Sequence, residues 1–259
     1  MFGFYDHYFK FFGLNITYYG FLIALGMAIG VFIACKMAKH RGLKSEDILI
    51  LACYVLPLAV VGARIYYVIF SSQSYSFWDI FKIWEGGMAI YGGVIGGALA
   101  CLLYCLIHKK NFFDVADIAV APLLLGQGLG RIGCFFSSCC YGIEVTNPSL
   151  MWFPFSTQIN GVWHLSTFFY ESFLDLVFCG IFIFLIAKRK VQTRGIMMSL
   201  YFICYGTARC IIETFRGDSL MLGPIKVSQL LSGLLVVCGV AFLVTLLAIK
   251  KRRKNSNKM

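Results

Sequence analysis

The strongest constraint in this sequence is a series of about seven continuous apolar blocks, each close to 20 residues long. A helix that rises ~1.5 Å per residue needs about that length to cross a ~30 Å hydrocarbon core. A single apolar run that spans a membrane must satisfy its backbone hydrogen bonds internally, which an α-helix does. The blocks lie at 17–36, 48–70, 88–107, 114–135, 167–187, 196–215 and 228–249. The sequence therefore predicts an all-α, polytopic membrane bundle of about seven transmembrane helices.

The chain has a net charge of +11, and the distribution of its basic residues indicates membrane topology rather than nucleic-acid binding. Most basic residues cluster in segments that all follow odd-numbered blocks, at 36–44, 109–110, 188–194 and 250–258. The positive-inside rule assigns such loops to the cytoplasm. We therefore predict an N-terminus outside and a basic cytoplasmic tail at 250–259. Membrane lipids are the expected surroundings, and no nucleic-acid partner is expected.

The organisation between the blocks indicates one integral membrane domain over residues 1–259, because neither a low-complexity linker nor an internal repeat divides the chain. The longest segment outside the blocks runs from about 137 to 166, on the predicted outer side. It contains Trp152, Phe153 and Trp163, and aromatic side chains favour the headgroup level of a bilayer. We expect this segment to be an interfacial loop on or dipping into the membrane surface.

Ionisable residues inside the blocks are few, and they share one depth. Arg64, Arg131 and Arg209 lie towards the outer ends of the second, fourth and sixth blocks, while Tyr91 and Glu171 open the third and fifth. A charge in hydrocarbon is costly unless it faces a partner or a wet cavity. The agreement in depth across five helices predicts a functional site in the outer third of the bilayer. For Arg64 alone, snorkelling to the headgroups is the alternative.

The sixth block carries a polar stripe. Tyr201, Tyr205, Arg209 and Glu213 recur every four residues, which places them on one helical face, and Arg216 lies about one turn beyond. One interpretation is that the stripe faces a site. The other is that Arg209 and Glu213 form a structural ion pair and the tyrosines fill the core, since buried pairs are often architectural.

Glycines in the third block are spaced for helix packing. Gly92 and Gly96, and likewise Gly93 and Gly97, are four residues apart, so they present a flat surface to a neighbouring helix. This packing is compatible with Tyr91 bordering a site.

A second glycine-rich run, at 128–133, matches the dinucleotide pattern GxGxxG. The match is spurious, because that fingerprint needs a preceding strand and a βαβ unit, and an apolar span offers neither. We expect instead an irregular helix end at which backbone amides and Arg131 approach a bound anion.

Three cysteines follow Arg131: Cys134, Cys139 and Cys140. On the outer side of a membrane they can form one disulfide and a spare thiol, bind a metal with a fourth ligand such as His164, or simply pack. Their spacing is not a pair-of-pairs zinc pattern, so no metal is expected. A nucleophilic thiol lacks a clear base nearby.

Taken together, several motifs resemble the prolipoprotein diacylglyceryl transferase family over most of the chain. They are Trp84-Glu85-Gly86-Gly87 through Tyr91-Gly92-Gly93-Val94-Ile95-Gly96, Gly130-Arg131-Ile132-Gly133 to Tyr141-Gly142, Tyr170-Glu171, Tyr205-Gly206-Thr207-Ala208-Arg209 with Glu213 and Arg216, and Ser228-Gln229-Leu230-Leu231-Ser232.

The resemblance implies transfer of diacylglycerol from phosphatidylglycerol to the lipobox cysteine of a prolipoprotein, at the outer face of a bacterial cytoplasmic (inner) membrane. It implies no cofactor. Arg131 and Arg209 match the family's key arginines, and arginine stabilises a phosphate bidentately. Tyr91 stands where many members have histidine, as a base or positioning group. The expected substrate-binding residues are Gly92, Gly93, Tyr205, Glu213, Glu171, Arg64 and Arg216.

The sequence departs from the family pattern after Gly133. The family usually shows asparagine and then, five residues later, glutamate, where this chain has Cys134 and Cys139. A divergent paralogue with another acceptor therefore stays open. We hypothesise that Glu144 replaces the missing carboxylate.

Two other classes of protein stay open. A lipid or small-anion transporter should carry polar residues through the inner half of the bundle, where this chain shows little beyond Asp114, Asp117 and Asp175. A purely structural membrane protein would lose only stability on replacement of Arg209.

Overall fold

A computed structural model describes residues 8–11, 14–71, 75, 77–81, 87–137, 139–188, 191–217, 221–222 and 225–256. Seven α-helices lie within these residues: α1 (Tyr18–Ala38), α2 (Ser45–Phe70), α3 (Ile90–Ile107), α4 (Phe112–Phe136), α5 (Thr167–Ala187), α6 (Ile196–Thr214) and α7 (Val227–Ser256). By length and composition, all seven are able to cross a membrane. The predicted multi-pass helical membrane fold is confirmed. The orientation of the termini stays a prediction.

Short antiparallel hairpins occupy some of the connections between helices. They pair β1 (Tyr8–Phe11) with β2 (Leu14–Thr17), β3 (Ser156–Ile159) with β4 (Val162–Leu165), and β5 (Met221–Leu222) with β6 (Ile225–Lys226). The β3–β4 hairpin lies in the segment predicted as an interfacial loop, and sequence analysis did not predict it. Its turn is Asn160-Gly161, with φ of 50° and 87°. An Asn-Gly pair is a strong signal for a tight hairpin, so the sequence did carry this information.

The contacts along the chain divide it into two compact units, residues 1–37 with 116–259 and residues 38–115. The prediction of one integral domain stays a prediction. Trp84, Glu85 and Gly86, which begin the family motif that runs to Gly96, lie outside the described residues. The same is true of 189–190 and 257–259 in two of the predicted basic segments.

In the unit formed by residues 38–115, α2 and α3 pack closely through glycine. A Cβ atom on Gly62 of α2 would lie 2.6 Å from the carbonyl oxygen of Gly92 and 3.1 Å from the Cα of Gly96. Any side chain larger than hydrogen would force the two backbones apart. The close contact predicted from the glycine spacing of the third span is therefore confirmed.

In the other unit, α4 packs on α1 and α5 through small residues. A Cβ on Gly30 of α1 would lie 3.3 Å from the Cβ of Pro122, and the Ser172 hydroxyl of α5 donates to the carbonyl of Gly128 at 2.9 Å. Helix α4 continues through Pro122 to Phe136. The expected irregular helix end at 128–133 is therefore wrong, because these residues lie within the helix and their amides are used by it.

The start of α6 is held by a carboxylate from α4. Asp117 Oδ2 accepts a hydrogen bond from the Gly195 amide at 2.8 Å, and Oδ1 accepts one from the Met198 amide at 3.0 Å. The first amides of a helix lack partners within it, so this buried side chain acts as a cap supplied from another helix. Asp117 is one of the few polar residues that the sequence offers for a transport path. Its contacts with Gly195 and Met198 give it a structural role instead.

Replacement of Asp117 by alanine is expected to lower the free energy of unfolding by about 1–3 kcal/mol, because it leaves two helix amides without their acceptor. Thermal unfolding of the purified protein in detergent measures this loss. Asp117→Asn retains one carbonyl acceptor, so its free energy of unfolding should lie between those of Asp117→Ala and the unchanged protein. An unchanged unfolding temperature in Asp117→Ala would contradict the capping role.

Candidate active site

A carboxylate on α5 joins arginines from two other helices. Glu171 Oε1 lies 2.9 Å from Nε of Arg131 on α4, and Glu171 Oε2 accepts a hydrogen bond from Nη1 of Arg209 on α6 at 2.6 Å. The two guanidinium groups are thus held on either side of one carboxylate. Sequence analysis placed all three residues at one depth, and the structure brings them into contact.

The same array extends along α6. Nη2 of Arg209 lies 3.0 Å from Oε2 of Glu213, and Nη1 of Arg216 lies 3.7 Å from the same oxygen. The spacings of four and three residues place these side chains on one helical face. The ion pair anticipated from the stripe is confirmed, and Arg216, one turn beyond Glu213, extends it. We call Arg131, Glu171, Arg209, Glu213 and Arg216 the arginine–glutamate array.

Three members of the array are buried, and Arg131 and Arg216 are half-buried. Glu171, Glu213 and Arg209 are 3%, 1% and 9% exposed. Because burial of an ion is costly, each charge here depends on its partners, and removal of one partner leaves another uncompensated. Glu171 Oε1 and Glu213 Oε2 have ionic neighbours but no aligned hydrogen bond within the described part of the chain. Both oxygens therefore retain capacity to accept one.

Lys226, at the end of β6, lies at the C-terminal end of α6. Its Nζ donates to the carbonyl of Glu213 at 2.7 Å and to that of Arg216 at 2.9 Å. A cation favours the carbonyl end of a helix, where the last oxygens lack intrahelical partners. Lys226 thus caps α6, and its position there depends on the β5–β6 hairpin.

The tyrosines of the α6 stripe stack on one another. The rings of Tyr201 and Tyr205 lie 5.4 Å apart with 8° between their planes, and Gln127 Nε2 donates to the Tyr201 hydroxyl at 2.9 Å. The stack continues the face that carries Arg209. The assignment of Tyr205 to substrate binding stays a prediction.

An apolar cavity of about 230 Å³ lies in the same unit as the array. Its lining begins at Ile132, the residue after Arg131, and includes Phe168, three residues before Glu171. The lining residues are Ile132, Phe135, Phe136, Phe153, Phe168 and Phe169. An apolar wall of this kind suits hydrocarbon rather than a polar group.

The three cysteines after Arg131 converge beside it. The sulfur atoms of Cys134, Cys139 and Cys140 all lie within 4.8 Å of one another, and Arg131 Nη1 donates to Cys140 Sγ at 3.2 Å. All eleven cysteines fall within the described residues, and each is a thiol rather than half of a disulfide. The group of three does not include His164, whose Nδ1 lies 3.2 Å from the Gly142 carbonyl oxygen.

These contacts make the three thiols unequal. Hydrogen bonds from Cys134 and Cys139, together with the guanidinium groups of Arg131 and Arg216, hold the pKa of the Cys140 thiol well below its usual range. The hydrogen bonds with Cys134 and Cys140, together with burial, raise the pKa of the Cys139 thiol.

Comparison with known proteins shows the family to which this chain belongs. The family model for prolipoprotein diacylglyceryl transferase matches residues 6–245. The chain belongs to the prolipoprotein diacylglyceryl transferase family. A phosphatidylglycerol–prolipoprotein diacylglyceryl transferase of Streptococcus equi subsp. zooepidemicus is 40% identical over 91% of this chain and 92% of its own length. The enzyme named phosphatidylglycerol–prolipoprotein diacylglyceryl transferase 1 of Clostridium perfringens is 36% identical over 93% and 94%.

Four residues expected to act in a diacylglyceryl transferase site belong to the unit of residues 38–115. Arg64 is 2% exposed, donates from Nη1 to the Gly87 carbonyl at 3.2 Å, and lies over the rings of Tyr67 and Tyr75. Such contacts hold it within the protein, so snorkelling is wrong. Tyr91 is 38% exposed, and Gly92 and Gly93 face α2. The roles of these four residues in the family's reaction stay predictions.

Glu144 does not take the place of the missing family carboxylate. Its side chain is exposed, and its backbone bridges to His164. The carboxylate that meets Arg131 is that of Glu171, from the neighbouring helix α5. The hypothesis for Glu144 is therefore wrong. Asp175 lies one turn after Glu171, is 1% exposed and has no hydrogen-bond partner for Oδ2 among the described residues.

Proposed function

We propose that this protein transfers the diacylglyceryl group of phosphatidylglycerol to the thiol of a lipobox cysteine in a prolipoprotein. The observation that carries the proposal is the bridge from Arg131 through Glu171 to Arg209, in a chain of this family. Two guanidinium groups held in fixed orientation can bind one phosphate from two sides.

The charge of the array supports an anionic substrate. Three guanidinium groups face two carboxylates, so the ionised array carries 3 − 2 = +1. A phosphodiester carries one negative charge and would neutralise this excess. Burial makes the match stronger, because electrostatic attraction grows as water is excluded.

The reaction requires one bond to form and one to break. The cysteine sulfur attacks the glycerol carbon that carries the phosphate ester, a C–S bond forms, and the C–O bond to phosphate breaks. Glycerol phosphate leaves with both electrons of that bond, and the thiol proton passes to a base. The phosphate gains one negative charge as it leaves, so Arg131 and Arg209 stabilise the transition state more than the bound lipid.

Other residues take supporting roles in this proposal. Glu171 and Glu213 orient the arginines, and their oxygens without an aligned hydrogen bond accept from the hydroxyls of the lipid headgroup. The apolar cavity beside Ile132 receives part of an acyl chain. Arg216 and Tyr205 border the headgroup. Gly92, Gly93 and Arg64 support the position of Tyr91, which positions or deprotonates the acceptor thiol.

We place the reaction at the outer face of the bacterial cytoplasmic (inner) membrane. The family motifs and the predicted topology support this placement. Phosphatidylglycerol and the prolipoprotein would meet in the outer third of the bilayer, where the sequence predicts the polar groups of the site. The acceptor is a peptide with a lipobox cysteine.

The decisive experiment incubates the purified protein with phosphatidylglycerol vesicles and a lipobox peptide. Release of glycerol phosphate together with a peptide mass gain of one diacylglyceryl group is expected. A peptide whose lipobox cysteine is replaced by serine is the control and should gain no mass. Release without a gain on the cysteine peptide would point to another acceptor, and neither product from protein that binds the lipid would overturn the proposal.

Tyr91→Phe is expected to lower the rate of transfer by about tenfold or more, because a group that moves or orients a proton contributes about 10²–10⁴-fold to a rate. Tyr91→His should retain more activity than Tyr91→Phe, since imidazole supplies a base at the same position. Initial rates of peptide modification measure both. A rate for Tyr91→Phe within twofold of the unchanged protein would remove Tyr91 from the mechanism.

A further inference from the structure

The proposed transfer reaction leaves the three cysteines beside Arg131 without a role. We propose that Cys134, Cys139 and Cys140 form a binding site for a thiophilic divalent cation of the zinc class. The sulfur atoms supply three ligands from one short stretch of chain, and the proposal rests on their spacing and on the contacts that Arg131 and Thr167 make with Cys140. It therefore does not depend on the proposed lipid substrate.

The backbone brings the three sulfur atoms together before any ion is bound. Helix α4 ends at Phe136, and the amide of Cys139 then turns back to bond the carbonyl of Cys134 at 3.1 Å. Cys140 adopts a left-handed conformation with φ of 60°, and Thr167 Oγ1 donates to its carbonyl at 2.8 Å. A residue other than glycine is rarely held in this region unless the surrounding structure requires it. Much of the ordering needed for ligation is therefore already present.

The spacing of the sulfur atoms suits a single ion. Zinc–sulfur bonds of about 2.3 Å in a tetrahedral arrangement place sulfur atoms about 3.8 Å apart. The three sulfur atoms here lie within 4.8 Å of one another. Side-chain rotations that move the sulfur atoms closer by about 1 Å would bring them to the spacing of a tetrahedral zinc site. A set of sulfur ligands without oxygen selects zinc-like ions over magnesium or calcium.

The charges around the site favour the bound form. All three ligands are thiolates in the complex with a divalent ion, which therefore carries −3 + 2 = −1. Arg131 donates from Nη1 to Cys140 Sγ at 3.2 Å and so places a positive charge against this complex. Donors to ligand atoms outside the coordination sphere orient and stabilise metal ligands. The fourth position stays open to water or a small anion, as in zinc sites that have three protein ligands.

Zinc binding is tested on the full-length protein in detergent, purified without a polyhistidine tag and with its thiols reduced. Equilibrium dialysis against zinc alone should leave one zinc ion bound per chain, and cobalt in its place should show the near-ultraviolet charge-transfer band of sulfur ligation. In the unchanged protein, zinc should protect Cys134, Cys139 and Cys140 from alkylation, as measured by mass spectrometry. This protection needs no variant and no lipid substrate.

Variants then assign the ligands. Cys134→Ser, Cys139→Ser and Cys140→Ser should each bind zinc at least about tenfold more weakly, since loss of even an outer-sphere partner costs about 10–100-fold. Cys238→Ser removes an exposed thiol of α7 and should bind as the unchanged protein does. Zinc affinity unchanged in the triple serine variant, or zinc that leaves the three thiols open to alkylation, would overturn the proposal.

Discussion

Arg209→Lys is expected to lower the rate of diacylglyceryl transfer by about 100-fold or more. Arg209 contacts Glu171 through one terminal nitrogen and Glu213 through the other. A lysine ammonium retains the charge, but it cannot hold two carboxylates and still present a planar donor edge to a phosphate. Loss of one donor to a developing oxyanion costs about 10²–10³-fold in rate. The effect should fall mainly on kcat, because the phosphate gains its second charge only as the C–O bond breaks.

Steady-state kinetics with phosphatidylglycerol vesicles and a lipobox peptide measure this effect. Arg252→Lys makes the same chemical change at an exposed position of α7, and its activity should match that of the unchanged protein. Retention of more than a third of the rate by Arg209→Lys would show that a point charge suffices. The proposal that Arg209 presents a planar donor edge to the phosphate would then be wrong.

Glu171→Gln is expected to abolish measurable transfer and to destabilise the protein. Glu171 is the sole carboxylate that contacts both Arg131 and Arg209 among the ion pairs of the described residues. A neutral amide would leave two buried guanidinium groups close together without the charge between them. Removal of one member of a buried ionic network costs about 3–5 kcal/mol, so the unfolding temperature should fall as well.

The two consequences of Glu171→Gln are separated by measuring activity only at temperatures at which the variant is folded. Glu144→Gln is the matched control, since it neutralises an exposed glutamate of the segment between α4 and α5. We expect this control to retain both its activity and its unfolding temperature. If folded Glu171→Gln transferred diacylglycerol within tenfold of the unchanged rate, the bridge would be architectural rather than part of the reaction.

Much of the fold was predictable because its determinants are local. The apolar length of each span, the four-residue spacing of Gly92 and Gly96, and the pairing of Arg209 with Glu213 all follow from the geometry of one helix. The β3–β4 hairpin was also within reach of local reasoning, through Asn160-Gly161. It was missed because an apolar, aromatic segment beside the membrane suggested an irregular interfacial loop.

The contacts of the site were less predictable. The sequence placed Arg131, Glu171 and Arg209 at one depth, but depth does not say which carboxylate faces which arginine. Glu144 is close to Arg131 along the chain and was the more obvious partner, yet Glu171 fills that position from α5. The spacing of the cysteines likewise resembles no zinc pattern, while the turn after α4 gathers their sulfur atoms within 4.8 Å.

The sequence by itself determined the seven membrane spans, the residues available for chemistry and the family. Only the tertiary structure decided that Glu171 joins Arg209, 38 residues away in the chain, and that Asp117 caps α6, 78 residues away at Gly195. The physical reason is that helix formation and membrane insertion depend on neighbouring residues in the chain. Partner choice between helices depends instead on their rotation and packing, which many distant contacts set together.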